Sequence, residues 1–531
     1  MQSTNRFSTP CYLALPALVL AAIVLQPASA NAQMTSVGIN CADVQRLQLL
    51  KQDNMRAGQA LIECGIVQGG REAEPDSVPP APPNVQVSNR ACTDGQSCTH
   101  SENMVWQSTK DNKTTVVNYN DHNPADNNTY SGTSYSTDGG VTFHEIHPAP
   151  FGKTHGQNFG DPIVVFNSKL NKWFAGDLVS NSSGLDCGFQ GIGLWTSLNG
   201  IAWTKGSCPH VGSADDRESM WVDNETTSAH YGRMYVSFND FNNGGALDVV
   251  YSDNGTTWVG PVVISNTATF MRDVQVTGSP RGATRFEGTS STVFVASMDE
   301  GGGGFATRQN VIFKSLDGGA TWTKFTMGAR FPAVGDSLCS SNPYFAAVNP
   351  IWRHMGWGEP AVGPNGVVHY AFARRGTVAA DKGDIYYTKS KDNGKTWSAA
   401  VKLNTDKDAA FKTQWMPSVS SDQLGKVTVA WYDRSASTAA CVNVSDAGCK
   451  YQRMARQSKD NGTTWLPEFA VSTGIIAEPD QQDPGVQSCY AGDYDYDTAN
   501  NGNAFVTWTD GSKAVGGVQV QNVDFAKVPL P

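Results

Sequence analysis

Charge is scarce in this chain of 531 residues: 17% are Asp, Glu, Lys or Arg, and the formal net charge is -10. No Lys/Arg cluster of any length occurs, so there is no basic face to neutralise phosphates, which excludes a nucleic-acid partner. Beyond the N-terminal region, no stretch approaches the roughly 20 uninterrupted apolar residues that a spanning helix needs. Paired C-x-x-C spacing is absent too, which weighs against a cysteine zinc site. What is abundant is Gly (53), Pro (26) and Trp (14), with 39% hydrophobic residues. That excludes a disordered chain or a long helical array and suits an all-β protein of many short strands and tight turns. Length alone suggests several domains, but repeated β architectures run to this size as one unit.

Arg6 precedes an apolar run from Leu13 to Leu25 and a small-residue stretch ending Ala30-Asn31-Ala32. Residues 1–32 read as a cleaved secretory signal, and the mature chain as secreted. Cleavage there leaves ten cysteines, an even number that favours disulfides in an exported chain. Short loops favour Cys92 with Cys98, Cys187 with Cys208 and Cys441 with Cys449, leaving Cys41 with Cys64 and Cys339 with Cys489; a metal site is the rival use. Residues 33–70 form a disulfide-tied segment in which Val44, Leu47, Leu50, Leu61 and Ile62 predict one amphipathic helix from Cys41 to Cys64, closed by Gly65. Such a prelude either packs on the main domain or binds a partner. Residues 71–83, with Val78-Pro79-Pro80-Ala81-Pro82-Pro83, read as an extended linker. The main domain is 84–531.

The main domain repeats a motif of the form S-x-D-x-G-x-T-aromatic. It occurs as Ser136 to Phe143, Ser315 to Trp322, Ser390 to Trp397 and Ser458 to Trp465. A fifth copy, Tyr251 to Trp258, keeps Asp253, Gly255, Thr257 and Trp258 with its serine displaced by one. A sixth, Ser197 to Trp203, is one residue short and has Asn199 in place of Asp. Asp253, Asp317, Asp392 and Asp460 are 64, 75 and 68 residues apart, so a supersecondary unit repeats. The chemistry is that of a turn: Asp accepts from backbone N–H groups, Gly supplies positive φ, and Thr-Trp starts the next strand.

These motifs resemble the Asp-box, or BNR, repeats of the sialidase-like β-propeller superfamily, over roughly residues 85 to 531. The resemblance implies blades of four antiparallel strands, with the box joining the third and fourth strands at the periphery, away from an axial cleft. Short apolar strands introduced by polar residues occur at Glu102, Asp161, Glu218, Asp273, Glu359, Gln414 and Asp493, which would be seven innermost strands. Seven blades are expected, or six if Glu102 begins an irregular entry segment. The last blade would take its fourth strand from Asn84 to Ser88, removing the free edges.

In a propeller the first residues of the innermost strands face the axis. Glu102, Asp161, Asp216, Arg217, Glu218 and Arg272 should therefore share one cavity with Asp273, Glu359, Gln414, Trp415, Asp493 and Tyr494. Converging carboxylates raise one another's pKa and keep a general acid protonated, as glycoside hydrolysis requires. Asp161, Glu218, Glu359, Asp493 and Tyr494 are the catalytic candidates. Glu102, Arg217, Arg272, Asp273, Trp415 and Arg434 are the substrate-binding candidates, and no metal residue is assigned. The bland alternative is that each acid binds backbone at the mouth of its own blade. Asp493, Asp495 and Asp497 alternate on a strand and offer a structural Ca²⁺ site or a solvated strand end; no other cofactor is expected. Arg434 either reaches the cleft or pairs with Asp433. His144 and His147 lie past a box, as a metal pair or as surface residues.

The resemblance would imply a sialidase's arginine triad, Tyr-Glu nucleophilic pair, Asp acid and Arg-Ile-Pro element. Arg217, Arg272 and Arg434 are clamp candidates and Tyr494 with Glu359 a candidate pair, but Arg-Ile-Pro is absent; Arg330-Phe331-Pro332 follows a box instead. The expected function is a monomeric, secreted, glycan-active protein, a glycoside hydrolase or lyase with an axial carboxylate-rich cleft. The alternative is a non-catalytic glycan-binding or surface-associated propeller.

Overall fold

Alternating apolar strands bounded by Gly- and Asn-rich turns build the chain almost entirely from antiparallel sheets. The computed structural model describes residues 33–70, 84–88, 99–122, 130–146, 154–180, 186–265, 269–280, 291–349, 352–437, 439–442 and 448–531. The expected signal, the linker, Cys92, Cys98 and His147 lie outside the described residues.

Seven sheets are led by strands with polar residues at or just before their start. These leading strands are Thr99–Gln107, Ile163–Asn167, Asp215–Val222, Met271–Gly278, Glu359–Val362, Gln414–Ser421 and the pair Asp495–Tyr496 with Thr498–Asn500. Each touches its predecessor, and the last touches the first. Asn103 pairs in parallel with Asp495, and Met104 with Tyr496. The chain ends meet as well: Val85–Gln86 pairs antiparallel with Asn522–Pro529, Val85 opposite Phe525, so the edge expected for residues 84–88 is filled. A shared apolar face seals this junction, with Val105, Val117, Tyr119, Phe143, Phe505 and Phe525 buried together.

The repeated turns supply the outer contacts. Asp138 accepts from the N–H of Val141 (2.9 Å) and Thr142 (3.0 Å) and from the Thr142 hydroxyl (2.6 Å). Asp392 and Asp460 bond the corresponding groups, and Asp317 those of Thr321. The fifth copy departs from the sequence reading. There Asn254, not Asp253, accepts from Thr256 and Thr257, and Asp253 pairs with Arg233 at 2.7 Å. The reason is length: Ser252-Asp253-Asn254-Gly255 is the same shortened turn as Ser197-Leu198-Asn199-Gly200, whose Asn199 accepts from Ile201 and Ala202. Each turn presses its glycine on the preceding sheet. A Cβ on Gly255 would lie 2.4 Å from the Phe174 ring, and one on Gly140 would lie 2.5 Å from Phe525 across the junction of the chain ends.

Residues 33–70 lie where the leading strands begin. The single helix expected from Cys41 to Cys64 is a correction: 3-10 turns occupy Cys41–Asp43 and Leu49–Lys51, and the α-helix is Met55–Glu63. Gln48 in the left-handed region interrupts the path, and Asn54 starts the helix by accepting from the Ala57 N–H at 2.8 Å. Four expected disulfides form: Cys41–Cys64, Cys187–Cys208, Cys339–Cys489 and Cys441–Cys449. No helix among the described residues is long and apolar enough to cross a membrane.

Candidate functional site

The leading strands do not alternate cleanly. Register shifts fall between Ser101 and Asn103, Asp216 and Ser219, Arg272 and Gln275, and Trp415 and Ser418. At or beside these bulges Glu102, Arg217, Asp273 and Met416 hold positive φ, as does Asp161 ahead of its own strand. A bulge re-aims side chains, so polar neighbours that would point to opposite faces of a regular strand share the interior. Left-handed backbone costs a non-glycine residue on the order of 1–2 kcal/mol, strain held here by the surrounding contacts.

The result is a buried hub of charge. Arg217 bonds Asp273 at 2.8 Å and Asp53 at 3.1 Å, with its guanidinium over the rings of Tyr494 (4.2 Å) and Trp357 (4.8 Å). Arg272 lies 3.0 Å from Asp53, 3.5 Å from Glu300 and 3.6 Å from Asp216. Arg353 grips Asp493 with Nη2 at 2.6 Å and Nε at 3.1 Å, and Nη2 also donates to the Asp53 carbonyl at 2.6 Å. Asp161 accepts from the Arg217 N–H at 2.8 Å. Glu102 accepts from Asn120 (2.7 Å) and the Asp493 N–H (2.9 Å).

Burial sets the proton states. It raises the Asp53 carboxyl, but Arg272, Arg217 and Arg353 outweigh this and hold it well below the usual carboxylate range. Asp161 is pushed up to about 8, first by burial and then by the Asp53 charge. Glu218 is raised by burial and by Asp161, and neither of its oxygens has a hydrogen-bond partner among the described residues. Glu102 is raised by burial, Asp493 and Asp161. The hub therefore holds ionised Asp53 beside protonated acids at neutral pH.

Of the sequence candidates, Glu102, Asp161, Arg217, Arg272, Asp273 and Asp493 meet Asp53 or one another by hydrogen bond or ion pair, and Tyr494 stacks on this group. Glu218 adjoins it through Asp161. Glu359 is buried, and its charge acts with Asp497, Asp273 and Asp495. The proposed Tyr494–Glu359 partnership is not made: Tyr494 responds to Asp161 and Glu102, and Glu359 bears on Tyr496, which stacks on Tyr494 at 4.5 Å. Trp415 lies in an aromatic core with Trp352, Tyr432 and Tyr451, fully buried. Arg434 donates to the Val348 carbonyl and lies 3.8 Å from Glu478 and 4.0 Å from Asp336. Gln414 bonds Asn404 and Ser435. In the alternating acidic run, Asp493 faces Arg353, while Asp495 and Asp497 face Arg453 at 3.5 and 3.6 Å. His144 is exposed against Tyr135.

Two central residues escaped the sequence reading. Asp53 sits in the prelude, beside the Asn54 that caps the helix. Arg353 comes from a small three-stranded sheet, Ser337–Leu338, Ala346–Asn349 and Trp352–Arg353, inserted before Glu359–Val362. The unusual run Trp352-Arg353-His354-Met355-Gly356-Trp357 was the available signal. The Cys339–Cys489 disulfide, the Arg353 N–H to Cys489 carbonyl bond (3.1 Å) and the Trp352 indole to Gly492 carbonyl bond (2.9 Å) fasten this insertion to the strand start that bears Asp493. Towards the far ends of the leading strands, Trp106, Trp221, Pro360, Val362 and Asn500 help to line a separate cavity of about 140 Å³.

No family model matches the chain, and no curated protein matches it. Among solved structures, it is similar to a polysaccharide lyase, an ulvan lyase of family PL25, at 10% identity and a TM-score of 0.46, covering 87% of this chain and 96% of that one. An α-L-arabinofuranosidase from Fusarium graminearum matches at 12% identity and 0.40, covering 84% and 98%. The BP39L lectin from Burkholderia pseudomallei matches at 12% and 0.43, covering 81% and 96%. All three TM-scores are below 0.5, and these likenesses assign no activity to the chain.

Proposed function

We propose that the chain is a secreted, seven-bladed β-propeller of sialidase-like architecture whose hub acts on an acidic glycan. The cyclic contact of the seven leading strands and the pairing of Val85 with Phe525 support the ring. One observation carries the function: Arg217, Arg272 and Arg353, from three separate segments, surround one carboxylate-bearing residue, Asp53. Arg217 and Arg272 meet the carboxylate itself and Arg353 the Asp53 carbonyl; paired guanidiniums suit the planar carboxylate of a uronic or nonulosonic sugar, a group neutral sugars lack.

Around that seat stand the groups that glycosidic cleavage needs. Asp161, protonated near neutrality, or Glu218 donates a proton to the leaving oxygen. Burial holds the Tyr494 phenol protonated beside Asp161 and Glu102; as a nucleophile it would first give up that proton to a carboxylate, and a lyase route would use the deprotonated tyrosine on the proton beside the sugar carboxylate. The test is a screen of the mature chain on sialosides, uronic-acid polymers and neutral oligosaccharides, recording both reducing ends and unsaturated products. Turnover of acidic substrates alone supports the reading, and turnover of neutral substrates alone refutes it. The binding-module alternative is favoured by the second cavity, whose lining includes Trp106 and Trp221 and one acid, Asp497, with no acid pair.

A further inference from the structure

We infer that residues 33–70 are an intramolecular pseudoligand: the Asp53 carboxylate takes the seat of the sugar carboxylate, and the hub stays latent until this segment moves aside. The inference rests on the acidic-glycan reading above and adds a mode of regulation to it. Asp53 comes from outside the sheets, yet its carboxylate meets Arg217 at 3.1 Å and Arg272 at 3.0 Å, and its carbonyl meets Arg353 at 2.6 Å. Asp216 docks the same turn, accepting from the N–H of Asp53 (3.2 Å) and Asn54 (3.1 Å) and from the Asn54 amide (2.6 Å). The segment thus offers the hub a charged group and a polar backbone edge, as a bound ligand would.

Two features distinguish this from an ordinary structural ion pair. The seat does not depend on Asp53 for its assembly. Arg217 keeps Asp273 and Arg353 keeps a three-bond grip on Asp493, so these two guanidiniums remain placed when Asp53 leaves, while Arg272 keeps the looser approaches to Glu300 (3.5 Å) and Asp216 (3.6 Å). The covalent arrangement also leaves the segment separable. Its own disulfide, Cys41–Cys64, closes on itself, and the other three described disulfides lie within the ring. Asp53, Asn54, Arg353, Gln487 and Tyr490 line a small pocket at the seam between segment and ring, beside the bonds of the Gly70 N–H to the Asp483 (3.0 Å) and Val486 (2.8 Å) carbonyls that also hold the segment. Against displacement stands the apolar packing of Val37, Ile39, Leu49, Met55 and Leu61. That packing makes the segment a strong competitor, because an external ligand meets only the fraction of molecules in which the seat is vacant.

The test is calorimetric binding of glucuronate and of N-acetylneuraminate, with glucose as control, to the full chain and to its Asp53→Ala variant. The expected result is binding at least about tenfold tighter to the variant. In the unaltered chain, saturating ligand should also speed amide exchange in Met55–Glu63 as the segment is displaced. Equal binding to both proteins, without faster exchange, overturns the pseudoligand and leaves the acidic-glycan reading standing. No binding to either protein, both folded by circular dichroism, overturns the acidic-glycan reading and the pseudoligand with it. Should the alanine variant fail to fold, Asp53→Asn replaces it, and the exchange measurement on the unaltered chain decides independently.

Discussion

Replacing Asp53 with Asn removes one negative charge from among three buried guanidiniums and leaves the side-chain shape nearly unchanged. Breaking a buried ion pair from one side costs about 3–5 kcal/mol, because the remaining charge is left uncompensated. Here the lower end applies, about 3 kcal/mol, since Arg217, Arg272 and Arg353 each retain another carboxylate. Part of the loss is further offset, because Asp161, Asp216 and Glu102 are relieved of the Asp53 charge that raises them. The assay is urea unfolding at constant pH, comparing midpoints and slopes. The pH dependence has a definite sign. Asp53 is depressed in the folded chain, so its contribution is complete above its unfolded value near pH 4 and is lost only as pH falls through the lower folded value. The Asp53 contribution itself stays level above about pH 5 and is lost in acid, while the lowered Asp161 pKa of the variant narrows the gap between the two proteins as pH rises towards 8. A difference within about 0.5 kcal/mol at neutral pH would refute the claim that the Asp53 carboxylate is ion-paired with Arg217 and Arg272.

Asp161, raised to about 8, binds a proton in the folded chain that the unfolded chain releases near pH 4, so stability falls as pH climbs between those values, by about 1.4 kcal/mol per unit from this group; Asp161→Asn should flatten that slope in urea titrations at pH 5, 6 and 7, and an unchanged slope contradicts the assignment. Gly255→Ala, set against the Phe174 ring with φ +72°, should cost about 2–4 kcal/mol from overpacking and left-handed strain, whereas Gly328→Ala, with φ +79° and open space, should cost only about 1–2; equal losses would mean the turns do not bear on neighbouring sheets. Replacing Cys339 and Cys489 with Ser opens a span of 150 residues and should lower stability by about 2–5 kcal/mol. Because that bond fastens Arg353 to Asp493, the same variant should weaken acidic-ligand binding in an Asp53→Ala background, and unchanged affinity would show that the disulfide does not position the pair.

The ring was legible because its signals are local. A Ser-x-Asp-x-Gly-x-Thr turn satisfies its own hydrogen bonds within eight residues, so Asp138, Asp392 and Asp460 could be read without knowing what they pack against. Even the fifth turn was readable in principle, since Ser252 and Asn254 repeat the spacing of Ser197 and Asn199; the conspicuous Asp253 masked it. Most hub residues were legible because bulges recur where the leading strands begin. Trp415, beside a bulge, and Arg434, just past the end of a second strand, were not, because whether such a residue turns to the axis or into the neighbouring sheet depends on packing that one strand does not encode. Asp53 and Arg353 were hidden for a different reason. Each comes from a segment outside the repeat, and their meeting spans 300 residues of sequence.

The central claim is that the hub recognises a carboxylate on a sugar. Its most direct measurement compares one uronic-acid oligosaccharide with its carboxyl-reduced counterpart, identical except that –COOH has become –CH₂OH, against the full chain carrying Asp53→Ala. Binding of the acidic form, with at least about a hundredfold loss on reduction, is predicted from Arg217 and Arg272 losing their partner. Equal affinity for the two forms would contradict the account.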